Sequence, residues 1–408
     1  MISNVAAVYP MPSTKRGRVE AIDILRGLAM VIMALDHVRD YFHITANTDD
    51  PLNLVTTTPY LFFARWITHF CAPTFVFLSG TSAFLQSLRK SKAQLSAFLI
   101  KRGLWLILME FVVISFGWTF NPHYPALIMQ VIWAIGISMF LLGILIWLPY
   151  GVLLGIGLAI VLGHNLLDIP ESQPGFHPNF LWDLLHSGQF VPYFFSSNHA
   201  FLIVYPFLPW LGLMIVGYCV GKFYTSKYTA TQRQKMLTRL GMILIASFIV
   251  LRFINVYGDP DPWSVQASPF YTFLSFIKTH KYPPSLLYMC MTIGPSLILL
   301  AFLEDIKNSF TKMLGIFGRV AFFYYILHIY LIHLLATISF FAHGHSFKEG
   351  TQLQPNMPPF FFVKAGEGYP LLIVLCIWMF VLVVLYPLCK WYDRYKAAHK
   401  AQWWLSYL

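Results

Sequence analysis

The chain has 408 residues, of which 57% are hydrophobic and only 11% charged. Soluble domains carry about 25% charged residues, so this sequence cannot cover a water-facing surface, and a soluble globular protein is excluded. The formal net charge of +11 does not indicate nucleic acid, because the basic residues sit in short loops between apolar runs, as membrane topology and anionic headgroups require.

Residues 1–17 are polar and read as a disordered cytoplasmic tail, followed by the last basic residue of the run Lys15, Arg16 and Arg18. No small-residue cleavage site follows the first apolar segment, which is expected to stay as an anchor. A spanning helix needs roughly 20 apolar residues. Candidate segments lie at 21–43, 58–87, 98–119, 126–147, 150–167, 200–222, 238–257, 284–303, 316–340 and 369–390. The expected fold is therefore an all-α polytopic membrane protein of about ten spanning helices in one bundle. One domain covers 18–395, and 396–408 forms a C-terminal tail. Alternating these spans from a cytoplasmic N-terminus puts 20 of the 28 Lys and Arg on the inner side. Only Lys278, Lys281, Lys348 and Lys364 fall outside, so both termini are expected in the cytoplasm. The setting is a multi-pass protein of the bacterial inner (plasma) membrane.

Ionisable groups inside a bilayer are costly, and they mark sites. The first span carries Asp23 and Arg26 near its inner end, three apart on one face, where they can pair. Near its outer end come Asp36, His37, Arg39 and Asp40. His37 lies about 16 Å beyond Arg26 along the helix axis. In the second span Arg65 and His69 share a face, and Pro73 permits a kink beside them. His37 and His69 at one depth, with Asp36 and Arg65, suit a general base and its orienter. Glu110 falls at mid-membrane, either as the partner of a buried Arg or with a direct role. In the ninth span Tyr324 and His328 share a face four residues apart.

Two outer loops, 168–199 and 257–283, are long enough to form a lid or re-entrant segment, or to remain surface loops. The five cysteines (Cys71, Cys219, Cys290, Cys376 and Cys389) lie in or at the ends of apolar runs without a CxxC pair, and read as packing residues. The pair His343 and His345 reads as a solvated loop, and no metal is expected.

Four blocks carry a family resemblance: Arg18 through Ala29 with Asp36-His37; Phe75-Val-Phe-Leu-Ser-Gly80; Lys281-Tyr-Pro-Pro-Ser-Leu-Leu287; and Phe317-Gly-Arg319 through His328. In this order they resemble the heparan-α-glucosaminide N-acetyltransferase family in a short bacterial-type form, over roughly residues 18–395. The resemblance implies transfer of an acetyl group from cytoplasmic acetyl-CoA to an amine or hydroxyl of a sugar or glycan on the outer side, using an essential His. His37 matches the His of the wider acyltransferase superfamily. The lysosomal enzyme of the family has Asn there and Asp at the position of His69, and its essential His matches His43 most nearly. The catalytic His is thus His37, His43 or His69. Arg26 and Arg319 are expected to hold the donor's phosphates, with Tyr324 and His328 along its path. Asp36 is expected to orient His37, and Arg65 or Tyr324 to stabilise the oxyanion. The partners are acetyl-CoA, the acceptor and the lipid bilayer, and a homodimer is allowed. A proton-coupled transporter is the alternative, since buried Asp, His and Arg also suit a proton relay, and a non-catalytic scaffold ranks behind it.

Overall fold

The computed structural model describes residues 19–188, 190–353 and 358–406, and the expected tail at 1–17 lies outside them. The chain is mostly helical. It opens with α1 (Glu20–Phe42), α2 (Pro59–Thr68), α3 (Cys71–Ser87) and α4 (Lys92–Met109), and one π-helical turn, Glu110–Ile114, joins α4 to α5 (Ser115–Thr119). The middle comprises α6 (Val131–Leu145), α7 (Tyr150–Gly163), the short α8 (Asp168–Glu171) and α9 (Phe180–Leu185), α10 (Phe207–Val220) and α11 (Ala230–Ile254). Then follow α12 (Pro269–Ile277), α13 (Leu286–Phe302), α14 (Ser309–Arg319), α15 (Ala321–Ala342), α16 (Phe347–Gly350) and α17 (Leu371–Ala398).

Each apolar segment read from the sequence falls on one or more of these helices. Among the described residues, six helical stretches are long and apolar enough to cross a membrane: Pro59–Ser87, Tyr150–Glu171, Phe207–Tyr224, Ala230–Ile254, Ala321–Ala342 and Leu371–Ala398. Helices α6 and α13 are apolar but shorter. The second segment breaks where Pro73 led us to expect a kink: α2 ends at Thr68 and α3 starts at Cys71, with His69 and Phe70 in the turn.

The all-α expectation needs one correction. Strands β1 (Ala126–Met129), β2 (Pro192–Ser196) and β3 (His199–Ile203) form a small sheet in the order β1-β3-β2. β1 and β3 run parallel, and β2 and β3 antiparallel. The segments expected to be helical from 126 and 200 therefore begin as strands. Pro206 disfavours helical geometry at the residue before it, and α10 starts only at Phe207.

Helix α1 is the hub of the bundle, packing on α2, α3, α13, α14, α15 and α17. Its contact with α14 is made backbone to backbone. A Cβ on Gly27 would stand 1.8 Å from the Leu314 carbonyl oxygen, and one on Gly318 would stand 1.8 Å from that of Asp23. Small residues permit such a crossing between helices in lipid. All five cysteines are free thiols; Cys71, Cys219, Cys290 and Cys389 are buried as packing residues, whereas Cys376 is exposed.

Candidate functional site

At one end of the bundle a cavity of about 1260 Å³ opens. Arg26, Arg89, Arg102, Arg233, Arg319 and Lys396 line it, against a single acid, Asp23. Arg26 donates to the Ser82 hydroxyl at 2.8 Å and lies 3.4 Å from Asp23. Arg319 forms a two-pronged pair with Asp393, at 2.8 and 2.7 Å, which ties the start of the ninth segment to α17. Both Arg residues predicted for donor binding thus sit in one cavity. Its inner wall includes Met33 on α1 and Tyr325 on α15.

His37 stands one turn beyond Met33, with its ring 6.3 Å from that of Tyr325 and 4.8 Å from that of Trp118. Its Nδ1 lies 2.7 Å from Nε2 of His328. His328 Nδ1 faces the Tyr324 carbonyl oxygen at 3.1 Å. That oxygen can only accept, so His328 carries its proton on Nδ1 and offers a lone pair at Nε2. His37 then donates from Nδ1 and keeps the lone pair on Nε2, because the hydrogen bond at one ring nitrogen fixes the state of the other. An imidazole so held has the form of a general base or nucleophile.

The partner predicted for His37 is different. Asp36 is committed to Arg65, to Arg39 at 2.8 Å and to the Thr68 hydroxyl at 2.9 Å. Adjacent residues on a helix do not face each other, and the side chain that bonds His37 comes from α15. His69 is 1% exposed, and neither ring nitrogen has a hydrogen-bond partner. Its ring meets Tyr288 edge-on at 5.4 Å. It lies in the neighbourhood of the Asp36 cluster. His43 caps the end of α1, with Nδ1 against Thr45 at 3.0 Å.

Tyr324 is fully buried and stacks on His328, at 5.1 Å with the planes 7° apart. Of the adjacent pair Tyr324 and Tyr325, Tyr325 is the one that lines the cavity. Its hydroxyl and the Trp118 indole N–H are both buried and lie against each other, and both rings flank His37. An indole N–H given to the phenol oxygen leaves the Tyr325 O–H as a donor beside the imidazole. Neither residue stood out in the sequence. The one signal was polar aromatics within apolar runs, which is easily read as packing.

Glu110 is fully buried, and its carboxylate accepts from the Trp133 amide at 2.8 Å, capping α6. Gln130 provides no side-chain cap of its own there, so a neighbouring helix supplies the acceptor that exposed helix amides need. No Arg partner is involved in this cap.

At the end of α1 away from the cavity, Asp36, Arg39, Asp40 and Arg65 gather, and Lys281 brings its ammonium to 3.9 Å from Asp36. Lys281 reaches this point because segment 257–285 folds over the bundle. Arg252, 1% exposed, donates to the carbonyl oxygens of Phe276, Asp261, Ser275 and Lys278. His280 contacts two acceptors, Asp261 at 2.8 Å and the Tyr282 carbonyl at 2.8 Å. Burial alone would lower His280, but its hydrogen bond with Asp261 and the nearby acids lift it above the ordinary imidazole value. The same hydrogen bond lowers Asp261. This long loop is thus a folded cover, not a loose surface connection.

One His/acid cluster lies apart from the site. Asp168, Glu171 and His186 bring potential ligand atoms within 4.8 Å of one another. His186 already bonds Glu171 at 2.9 Å and His164 at 3.1 Å. In the expected solvated loop, His343 contacts the Ser339 carbonyl and His345 contacts Glu367.

Residues 18–254 match a family described as heparan-alpha-glucosaminide N-acetyltransferase, catalytic. The match covers more than half of the chain, from the approach to α1 through α11. No curated protein matches the chain.

Proposed function

The chain belongs to the catalytic family of heparan-α-glucosaminide N-acetyltransferases, and on that premise we propose that it moves an acetyl group across the membrane, from acetyl-CoA to an acceptor on the far side. The cationic cavity faces the cytoplasm in this reading, in keeping with the inward bias of Lys and Arg. All ten apolar segments then traverse or enter the bilayer, with both termini inside. The acceptor is an amine or hydroxyl of a sugar or glycan, and it enters from the end closed by Lys281 and the Asp36 cluster.

The observation that carries the reading is the placement of the His37–His328 pair between these two charged ends, next to the inner wall of the cavity. Phosphates of the donor would meet Arg26 and Arg319 at the mouth, where a planar guanidinium suits phosphate oxygens. The thioester would lie along Met33 and Tyr325. His37 Nε2 takes the proton of the acceptor N–H or O–H as the acceptor attacks the thioester carbonyl. A new C–N or C–O bond forms, the C–S bond breaks, and the sulfur leaves with the proton returned from the imidazolium. The Tyr325 hydroxyl and the Trp118 N–H supply donors for the oxygen that becomes negative in between.

Purified protein in liposomes, given acetyl-CoA labelled in the acetyl group, tests this directly. We expect saturable donor binding, and either transfer to an added amino sugar or slow hydrolysis. Loss of transfer and of hydrolysis, with donor binding kept, is expected in His37→Ala. Full activity in that variant removes His37 from the mechanism, and absence of acetyl-CoA binding removes the reading itself.

A further inference from the structure

A second groove, of about 260 Å³, lies where the ends of α3, α4, α7 and α10 meet the turn after α6. Lys90 and Lys92 line it, with Leu95 and Tyr150 among its apolar and aromatic walls. Lys222 adds its ammonium over the Tyr150 ring at 4.4 Å, and Lys92 donates to the Trp147 carbonyl at 2.9 Å. Three lysines therefore border one small groove.

Their counter-charge does not come from the groove's own helices. No Asp or Glu occurs between Asp50 and Glu110, between Glu110 and Asp168, or between Asp183 and Asp259. Helices α3, α4, α6, α7 and α10 are all inside those intervals. Beside the lysines, Trp147, Val152 and Ile144 stand exposed. A cationic rim that passes directly into exposed apolar surface matches a molecule with an anionic head and hydrocarbon tails.

We propose that this groove binds an anionic phospholipid, its phosphate between Lys90 and Lys92 and its acyl chains against the outer faces of α6 and α7. The assignment is independent of the acyl-transfer reading, because it uses neither the large cavity nor His37. It requires only that this end of the bundle lies at headgroup level.

Native mass spectrometry of the full chain, released from nanodiscs of equal phosphatidylglycerol and phosphatidylcholine, provides the test. The wild-type protein is expected to retain phosphatidylglycerol in preference by roughly tenfold or more, and the double variant Lys90→Gln/Lys92→Gln to lose that preference by about the same factor. Lys348→Gln, in a different loop, is expected to behave as wild type. Equal retention of the two lipids by wild type overturns the proposal, as does undiminished preference in the double variant. Displacement of the retained lipid by millimolar inorganic phosphate assigns the lysines to a soluble anion, and this too rejects a lipid site. If the double variant fails to fold, the wild-type lipid ratio and Lys92→Gln alone decide the matter.

Discussion

His37 and His328 meet ring to ring, Nδ1 to Nε2 at 2.7 Å, although 291 residues separate them in the chain. This contact sets the protonation pattern of His37, and in the proposed reaction His328 would act through its neighbour. His328→Ala is expected to lower kcat by about 10²-fold while leaving KM for the donor near wild type. His328→Gln, whose amide oxygen can still accept from His37, is expected to recover part of that loss. Steady-state kinetics of the two variants checks it, and equal activities would assign His328 to packing alone.

Tyr325 and Tyr324 are adjacent but differently placed, one on the cavity wall and the other stacked on His328. Tyr325→Phe removes a hydroxyl donor beside His37. It should cost about 10²- to 10³-fold in kcat, the size seen for loss of one oxyanion donor. Tyr324→Phe keeps the stacked ring and should cost far less. Reversal of this order would move the oxyanion site to Tyr324.

The crossing of α1 and α14 has no room for a methyl group at Gly27 or Gly318, and the atoms in the way belong to the backbone. Alanine at either position must push the helices apart, at a cost of about 2 kcal/mol or more. Thermal unfolding in detergent should show it. The same change at Gly151, where an added Cβ meets nothing within 4 Å, should leave the midpoint nearly unmoved.

The cover formed by 257–285 carries a pH dependence. His280 is raised in the folded loop, chiefly against its own burial, by Asp261. Its contribution is complete below about pH 6.5, the unfolded value, and is lost as pH climbs through the higher folded one. Asp261 is lowered, so its contribution is present above about pH 4 and disappears as pH falls through its folded value. Protection of this segment from hydrogen exchange, corrected for the intrinsic rate at each pH, should therefore be greatest in mildly acidic buffer and fall on the alkaline side, and His280→Gln should flatten that fall.

Much of the bundle is readable in the chain because the costs involved are local. Long apolar runs become helices, Pro73 coincides with a break, and the spacing of Asp36 and Arg39 brings them together on one helix. The union of Arg26 and Arg319 in one cavity also follows from their positions near like-facing helix ends. What escapes is whatever depends on distant partners. Nothing near His37 in sequence announces its contact with His328, or that Asp36 is taken up by Arg39, Arg65 and Thr68. Lys281 reads as an outer-loop residue, yet Arg252 gathers four carbonyls and draws the loop inward. Glu110 suggests a salt-bridge partner and proves to be a helix cap, because the need it meets belongs to the α6 backbone.

Arg26 and His37 ride on the same continuous helix, and the Gly27–Gly318 contact clamps that helix close to Arg26. The rod therefore works as a ruler of about 16 Å, eleven residues at the α-helical rise. If the charged end of a donor is gripped at Arg26, only a carrier with an arm of that order can present its acyl carbon to the imidazole. Small activated acyl compounds such as acyl phosphates would fall short of the mark, and discrimination among donors by reach would then rest on the backbone without any contact with the acyl group.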